Sequence, residues 1–270
     1  MIKGGINIKD SITNFYDELS VEYHLIFDDW YQTLSQQGQI LDEFIRSPRV
    51  HFELKSKTLL DASCGIGTQA IGLARLGYDV TATDISPQSV ARGAKEAEKA
   101  GVTINFGVAD FRTLQDDVEG EFSIVLSADN AIPHLLTDED LAAACRNMHA
   151  KLSEGGLLLI TIRDYDHHVQ LKEHATTPRV LDDGKRVVFQ VWDWSNDDRI
   201  YTVNHFILIE CEGKWNTSVQ RTNYRALLRD EFSQILSAAG FDNIDWHMPA
   251  DSGYYQPIVT AKKGKLKTVR

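Results

Sequence analysis

Between Asp61 and Ala70 the sequence reads DASCGIGTQA. Gly65 and Gly67 stand where a short apolar run gives way to a helical pattern. Glycine there lets the main chain approach a ligand closely, with the free N–H groups of a helix start behind it. Asp61 precedes these glycines by four positions, and Asp84 ends the next apolar run, YDVTATD. The two oxygens of an acid at that second strand end can hold both hydroxyls of a ribose. Asp110, followed by Phe111 in GVADFR, ends a third run, where an acid and an aromatic ring can accept an adenine amino group and cover the ring face. Taken alone, the glycine turn fits nicotinamide enzymes as well, and each carboxylate alone is equally a strand-end cap.

A second polar cluster, SADNAIPHLL, follows the apolar run EFSIVL, and IRDYD follows GGLLLIT. Asp129, Asn130, His134 and Arg163 are its chemically capable members. A histidine titrates near neutral pH and can take a proton from an attacking amine; His134 at a loop-to-helix junction serves equally to bond the backbone and shape the turn. Pro133 stiffens the loop.

These residues need a scaffold, and the pattern supplies one. From Lys57 onward TLLDAS, YDVTATD, TINFGVAD, EFSIVLS and GGLLLITIRD read as strands. GTQAIGLARLG, SPQSVARGAKEAEKAG and TDEDLAAACRNMHAKL read as helices between them, with Ser86 and Thr137 as N-caps. Such alternation is an α/β fold with a doubly wound, Rossmann-like parallel sheet. Active sites there lie at the carboxyl ends of strands, so the SADNAIPHL loop faces the substrate. Residues 10–50 read as helix, rich in aromatics (Phe15, Tyr16, Tyr23, Phe27, Trp30, Tyr31). After Arg163 the alternation stops: VVFQVWDW, RIYTVNHFILIE and WNTSVQRT read as three antiparallel strands. The helix LLRDEFSQILSAAG and a closing hairpin, FDNIDWHM with YQPIVTAKK, complete the chain. The expected organisation is an N-terminal helical lid over 1–56, a main domain over 57–164 and 223–270, and a β-rich insertion over 165–222 that roofs the pocket.

The 270 residues carry a net charge of −11, with 39 acidic against 28 basic side chains. No basic footprint is clustered, which argues against a nucleic-acid partner, and the tail KKGKLKTVR reads as a solvated terminus. No apolar run is long enough to cross a bilayer, and the N-terminus has no apolar signal region. Cys64, Cys145 and Cys211 lie far apart, against a disulfide framework or a zinc site; Cys64 reads as a small buried filler. A cytoplasmic protein with a small-molecule substrate, no nucleic-acid or membrane partner and no metal is expected; whether it forms a homo-oligomer stays open.

D-x-x-C-G-x-G, the acid ending strand two, A-D-F ending strand three and L-x-x-G-G from Leu152 to Gly156 occur in that order. In this, and in the terminal hairpin, the chain resembles the class I S-adenosylmethionine-dependent methyltransferases over nearly its whole length. The resemblance implies S-adenosyl-L-methionine as cofactor, with Asp84 on the ribose, Gly65 and Gly67 at the methionine end, and Asp110 and Phe111 at the adenine. Ala62, Ile85 and Ala128 would also touch it, and Tyr16, Tyr23 and Trp30 would fold over it as a lid that excludes water, although packing alone accounts for any one of them.

N-A-I-P-H and I-R-D-Y-D are similar to the glycine/sarcosine N-methyltransferase group, in which an asparagine and an arginine hold the carboxylate of a small amino acid. Asn130 and Arg163 match those positions, and a buried arginine facing a carboxylate makes a strong bidentate pair. Asp129 stands where the animal enzyme has a glycine, which puts a negative group near the substrate, and RVVFQVWDW offers no clear counterpart of that family's substrate-side tyrosine. The implied reaction is methyl transfer to a small polar molecule, an amine bearing a carboxylate. Methyl transfer to another oxygen or nitrogen nucleophile, a nicotinamide oxidoreductase and a non-catalytic cofactor-binding partner are the alternatives.

Overall fold

The computed structural model describes residues 8–264; most of the basic tail lies outside the described residues. The N-terminal segment is two helices rather than one, α1 (Ile8–Leu19) and α2 (Trp30–Ile45), with a 3-10 turn at Tyr23–Ile26 between them. Asp29 sets the new start, its carboxylate accepting the Gln32 N–H as an N-cap. Next come β1 (Thr58–Asp61), α3 (Thr68–Arg75), β2 (Asp79–Asp84), α4 (Pro87–Ala100), β3 (Asn105–Val108) and the one-turn α5 (Leu114–Asp117). They are followed by β4 (Phe122–Ser127), α6 (Asp138–Lys151) and β5 (Leu152–Thr161). Ser86 and Thr137 cap α4 and α6 as their types and positions lead one to expect, accepting from Ser89 and Asp140.

The insertion holds more than the three expected strands. Helix α7 (Tyr165–Leu171) and the short β6 (Arg179–Leu181) precede β7 (Arg186–Trp194), β8 (Ile200–Cys211) and β9 (Lys214–Arg225). Helix α8 (Arg229–Ala238), β10 (Phe241–His247), the one-turn α9 (Pro249–Ser252) and β11 (Ile258–Lys263) close the chain.

The main sheet runs β10-β11-β5-β4-β1-β2-β3. The five strands from β5 to the β3 edge are parallel, while β11 lies antiparallel to both β5 and β10. Leu59, Leu60, Ile124, Val125 and Leu157 to Leu159 are fully buried, because helices cover both faces: α6 and α8 with Leu141, Met148, Phe232 and Leu236 on one, α2 and α3 with Leu41, Phe44, Ile45 and Leu73 on the other. Strand order reverses between β1 and β4, which opens a crevice at their carboxyl ends. Helix α2 is seated tightly on α3: a Cβ on Gly38 would lie 2.6 Å from the carbonyl carbon of Gly72.

The second sheet, β6-β7-β8-β9, is antiparallel. Its register aligns Val188 with Ile207, Gln190 with His205 and Gln220, and Trp192 with Val203 and Thr222. Phe15 and Leu19 of α1 pack on Val188 and Ile207, which ties the first helix to this sheet. Among the described residues no helix is long and apolar enough to cross a membrane.

Candidate active site

A cavity of about 850 Å3 occupies the crevice. Its floor is the turn after β1. Gly65 has φ +51, and a Cβ built on it would meet nothing within 4 Å, so the bare backbone faces open space. The Gly65 N–H donates to Asp84 Oδ2 at 2.8 Å and the Ser86 N–H to Asp84 Oδ1 at 2.9 Å. Each oxygen keeps further lone-pair capacity on the cavity wall. Burial pushes the Asp84 carboxyl up, against the pull of those two N–H donors, so further donors would stabilise its charge. Ala62, Ile85, Phe111 and Ala128 also line the cavity. A cradle with a carboxylate at the second strand end and apolar walls suits a nucleoside-bearing cofactor such as S-adenosylmethionine.

Two carboxylates near this cavity are less simple than their motif positions suggest. Asp110 lines it but is gripped by Arg112, whose Nε and Nη2 reach Oδ1 and Oδ2 at 3.0 and 2.7 Å; an adenine amino group would share those oxygens with the guanidinium. Arg112 in turn reaches Asp140 at 3.1 Å. Asp61 is fully buried, and one oxygen takes the Ser63 N–H at 3.2 Å while Oδ2 makes no hydrogen bond. Burial pushes its carboxyl up to about 8.

A second cavity, of about 1160 Å3, shares Tyr16, Tyr23 and Asp129 with the first. Asp129 and Asn130 both adopt the left-handed conformation, φ 59 and 65, which Asp and Asn tolerate better than most residues. The Thr161 hydroxyl and carbonyl hold this turn, accepting the N–H groups of Asp129 and Asn130 at 2.9 and 3.1 Å. The Asp129 carboxylate accepts from Tyr254 and Tyr255 hydroxyls, both at 2.6 Å, and from Gln69 Nε2 at 2.8 Å. It is thus fixed by neutral donors at the wall between the cavities.

Asn130 and Arg163 form one closed hydrogen-bonded ring. Asn130 Oδ1 accepts the Arg163 main-chain N–H at 3.0 Å and the Tyr165 hydroxyl at 2.9 Å. Arg163 Nη1 donates to the Tyr201 hydroxyl at 2.9 Å, which lies 3.0 Å from that of Tyr165. Because Arg donates only, Tyr201 must pass its own proton toward Tyr165, and Tyr165 its proton to Asn130. With Oδ1 assigned, the buried Nδ2 of Asn130 faces the Tyr224 hydroxyl but has no acceptor within hydrogen-bond distance. Arg163 Nη2 donates to Gln190 Oε1 at 2.8 Å, and the guanidinium lies over the Trp192 and Tyr224 rings, 5.0 and 5.4 Å to centroid. Among the described residues no carboxylate pairs with it. Both residues line the second cavity.

His134 is buried against Tyr224, ring centroids 4.2 Å apart. Its Nε2 takes the Tyr16 hydroxyl at 2.7 Å, and Nδ1 faces Thr222 Oγ1 at 3.4 Å and the Asn223 main chain. Burial, with Arg163 adding to it, lowers its pKa to about 3, so the ring is neutral and its Nε2 is already engaged as acceptor of the Tyr16 hydroxyl hydrogen bond. Two residues assigned to the cofactor from sequence stand off the cavity wall. Trp30 is buried with Leu34, Ile66, Ile71 and Ala97 and donates to Thr68 Oγ1 at 2.9 Å, since α2 turns its indole toward α3. Gly67 caps α3 at φ +94, where a Cβ would strike Ile71 at 2.9 Å. Its need is conformational.

Sequence reasoning missed Tyr165, Tyr201 and Tyr224, which surround Arg163, and Gln69, Arg112, Gln190 and His205. The tyrosines come from α7, β8 and β9, not from the strand RVVFQVWDW. Their signal was a tyrosine on each of two paired strands, Tyr201 opposite Tyr224, which needs the register to be read.

Residues 59–156 match a family model described as a methyltransferase domain. A glycine/sarcosine N-methyltransferase of Parasynechococcus marenigrum is 32% identical over 138 residues, 51% of this chain and 47% of that protein. One from Aphanothece halophytica is 24% identical over 256 residues, 93% of this chain and 89% of that protein. The chain's match thus spans about half the length of the first and most of the second. In fold, it is similar to a methyltransferase from Clostridium acetobutylicum, with a TM-score of 0.71 at 14% identity over 96% of this chain and all of that one. An amino pentose methyltransferase from Micromonospora echinaspora gives 0.67 at 18% identity over 91% and 96%. The domain match decides between the two cofactor classes that the glycine turn alone left open.

Proposed function

We propose that this chain, a class I S-adenosylmethionine-dependent methyltransferase, transfers the methyl group to the amine of a small molecule that also carries a carboxylate. One observation carries the choice of acceptor. Asn130 Nδ2, buried, outside hydrogen-bond distance of any acceptor and turned toward the Tyr224 hydroxyl, stands in the same ring as Arg163, a cation with no carboxylate partner among the described residues. A buried donor without an acceptor in reach and a half-buried charge without a counter-ion both cost stability in a folded protein, and an acceptor carboxylate would relieve both. The glycine/sarcosine N-methyltransferases among the relatives support the same reading.

Bound S-adenosylmethionine supplies an electrophilic sulfonium methyl. In this reading Asp84 holds the ribose hydroxyls, and the open backbone at Gly65 admits the methionine end. Arg163 and Asn130 grip the acceptor carboxylate, which leaves the amine pointing toward the shared wall of the two cavities. The Asp129 carboxylate at that wall favours a cationic centre passing beside it. His134 is a positioning residue: it holds the Tyr16 hydroxyl at the same wall and, with a pKa of about 3, takes no proton from the acceptor at neutral pH. Tyr16, Tyr23, Phe15 and Leu19 close the second cavity against water, and the strands of the insertion roof it. Alignment of this kind supplies up to about 7–11 kcal/mol of a barrier, and a lone-pair displacement asks little else of side chains.

The test is S-adenosylhomocysteine release from S-adenosylmethionine with glycine, sarcosine and other amino acids, against the same amines lacking the carboxylate. Turnover confined to the carboxylate-bearing set is expected. Equal turnover of both sets would remove the role given to Arg163 and Asn130.

A further inference from the structure

Beyond Arg163 the second cavity continues into a third, of about 990 Å3, and Arg163, Arg179, Gln190, His205, Tyr255 and Gln256 line both. The hydrogen bonds around Gln190 fix the chemistry of the junction. Arg163 Nη2 and Trp192 Nε1 both reach Gln190 Oε1, at 2.8 and 3.0 Å. Both are donors only, so that oxygen is the acceptor and the amide nitrogen must face the other way. Gln190 Nε2 lies 3.0 Å from His205 Nδ1, which therefore accepts, and the proton of the neutral imidazole sits on Nε2. That Nε2 is buried and has no hydrogen-bond partner, in a residue only 6% exposed, and the Oε1 of its cross-strand neighbour Gln220 is likewise buried and unpartnered. His205 stays neutral: burial first, then Arg163 and Arg179, lower its pKa to about 4.

Arg179 completes the junction. It enters from the first position of β6 and donates to the Ile26 carbonyl, and among the described residues it has no carboxylate partner. Burial first, then the neighbouring Arg186, disfavour its charge, while Tyr255 and the Asp28 carboxylate favour it at longer range. An exposed cation with no carboxylate within ion-pair distance among the described residues, beside an N–H donor with no acceptor in reach, suits an oxyanion.

We infer that the methyl acceptor carries a second anionic group, received by Arg179 and His205 Nε2–H where the two cavities join. The inference rests on the amine-carboxylate reading above and extends it: the first carboxylate meets Arg163 and Asn130, and the second anion, a carboxylate or a phosphate, lies across the junction. Arg163 stands between the two subsites, with Gln190 bridging it to His205.

The test uses the full chain and S-adenosylmethionine with three probe sets: monoanions (glycine, sarcosine, alanine), amines with two carboxylates (aspartate, glutamate, iminodiacetate), and a phosphate-bearing amino acid (O-phosphoserine). We expect kcat/KM for at least one doubly anionic probe to exceed that for glycine by roughly tenfold to a hundredfold, the range of one charge-assisted contact. The dicarboxylates and O-phosphoserine separate the two sources of the second anion. Arg179→Gln and His205→Phe should each pull that ratio back toward one. Arg179 is at an exposed edge, so its variant keeps the test decisive if the His205 variant folds poorly. A ratio near one in the unaltered protein, or a ratio that Arg179→Gln does not move, overturns the inference while leaving the monocarboxylate reading standing. Silence of all three sets with S-adenosylhomocysteine still bound overturns that reading, and the second subsite with it.

Discussion

Replacing Arg163 by leucine separates the acceptor site from everything around it. The guanidinium bonds Tyr201 at 2.9 Å and Gln190 at 2.8 Å, yet neither neighbour is stranded when it goes. The Tyr201 hydroxyl keeps Tyr165, and Gln190 Oε1 keeps Trp192 Nε1. Leucine retains apolar contact with the Trp192 and Tyr224 rings. It also removes a half-buried cation that lacks a counter-ion, so the fold should lose little stability or gain some. The acceptor, by contrast, loses its charge-assisted partner, a truncation that costs about 2–5 kcal/mol, or roughly thirty-fold to several-thousand-fold in kcat/KM. The loss should fall on acceptor KM. Arg163 is not on the wall of the first cavity, so the dissociation constant of S-adenosylhomocysteine, measured by calorimetry, should change by less than about threefold, under 1 kcal/mol. Initial rates over an acceptor titration, with calorimetry on the same preparation, settle the matter. A comparable loss of cofactor affinity, or an unchanged KM, would refute the reasoning.

Three further outcomes follow from the geometry. Asp84→Asn weakens two backbone contacts and the ribose site together, and calorimetry should show cofactor affinity falling about tenfold to a hundredfold; an unchanged constant would put the ribose elsewhere. His134→Gln keeps an acceptor for Tyr16 but no imidazole, so kcat should fall less than about tenfold, whereas loss of a general base would cost about 10²–10⁴. Asp61 holds its proton in the folded protein up to about pH 8, while the unfolded chain releases it near pH 4. Its contribution to stability is therefore present at acid pH and lost as pH rises through that window, by up to about 1.4 kcal/mol per unit. Denaturant unfolding from pH 5 to 9 should show Asp61→Asn gaining on the parent as pH rises; parallel curves would mean that Asp61 ionises freely in the fold.

The cofactor half of the molecule was legible because its information is local. A strand, a turn with Gly65, and an acid such as Asp84 at the next strand end each leave a mark within about ten residues, and parallel strands buried on both faces read as plain apolar runs. The lining of the second cavity was legible only where a loop carried it, as with Asn130 and Arg163. Gln190 and His205 are alternate residues of paired strands, and their role depends on which face of the second sheet turns inward. Phe189 and Phe206, stacked on the opposite face at 4.8 Å, make that face look equally apolar, so alternation alone could not choose. Trp30 misled for a related reason: an aromatic in a leading helix suggests a lid, but the rotation of α2 is set by the Gly38–Gly72 contact, which is a tertiary fact. Asp110 was placed correctly at its strand end, and only its neighbour two residues on, Arg112, reveals that its oxygens are engaged.

The central claim is that Arg163 and Asn130 hold a carboxylate so that the amine of the same molecule takes the methyl group. Methyl-carbon-13-labelled S-adenosylmethionine, incubated with the protein and glycine or its doubly anionic counterparts, reports this directly by carbon NMR. The label should appear as an N-methyl carbon, and it should disappear when the acceptor carboxylate is replaced by an amide. Label on the carboxylate oxygen, or undiminished N-methyl signal from the amide, would contradict the account.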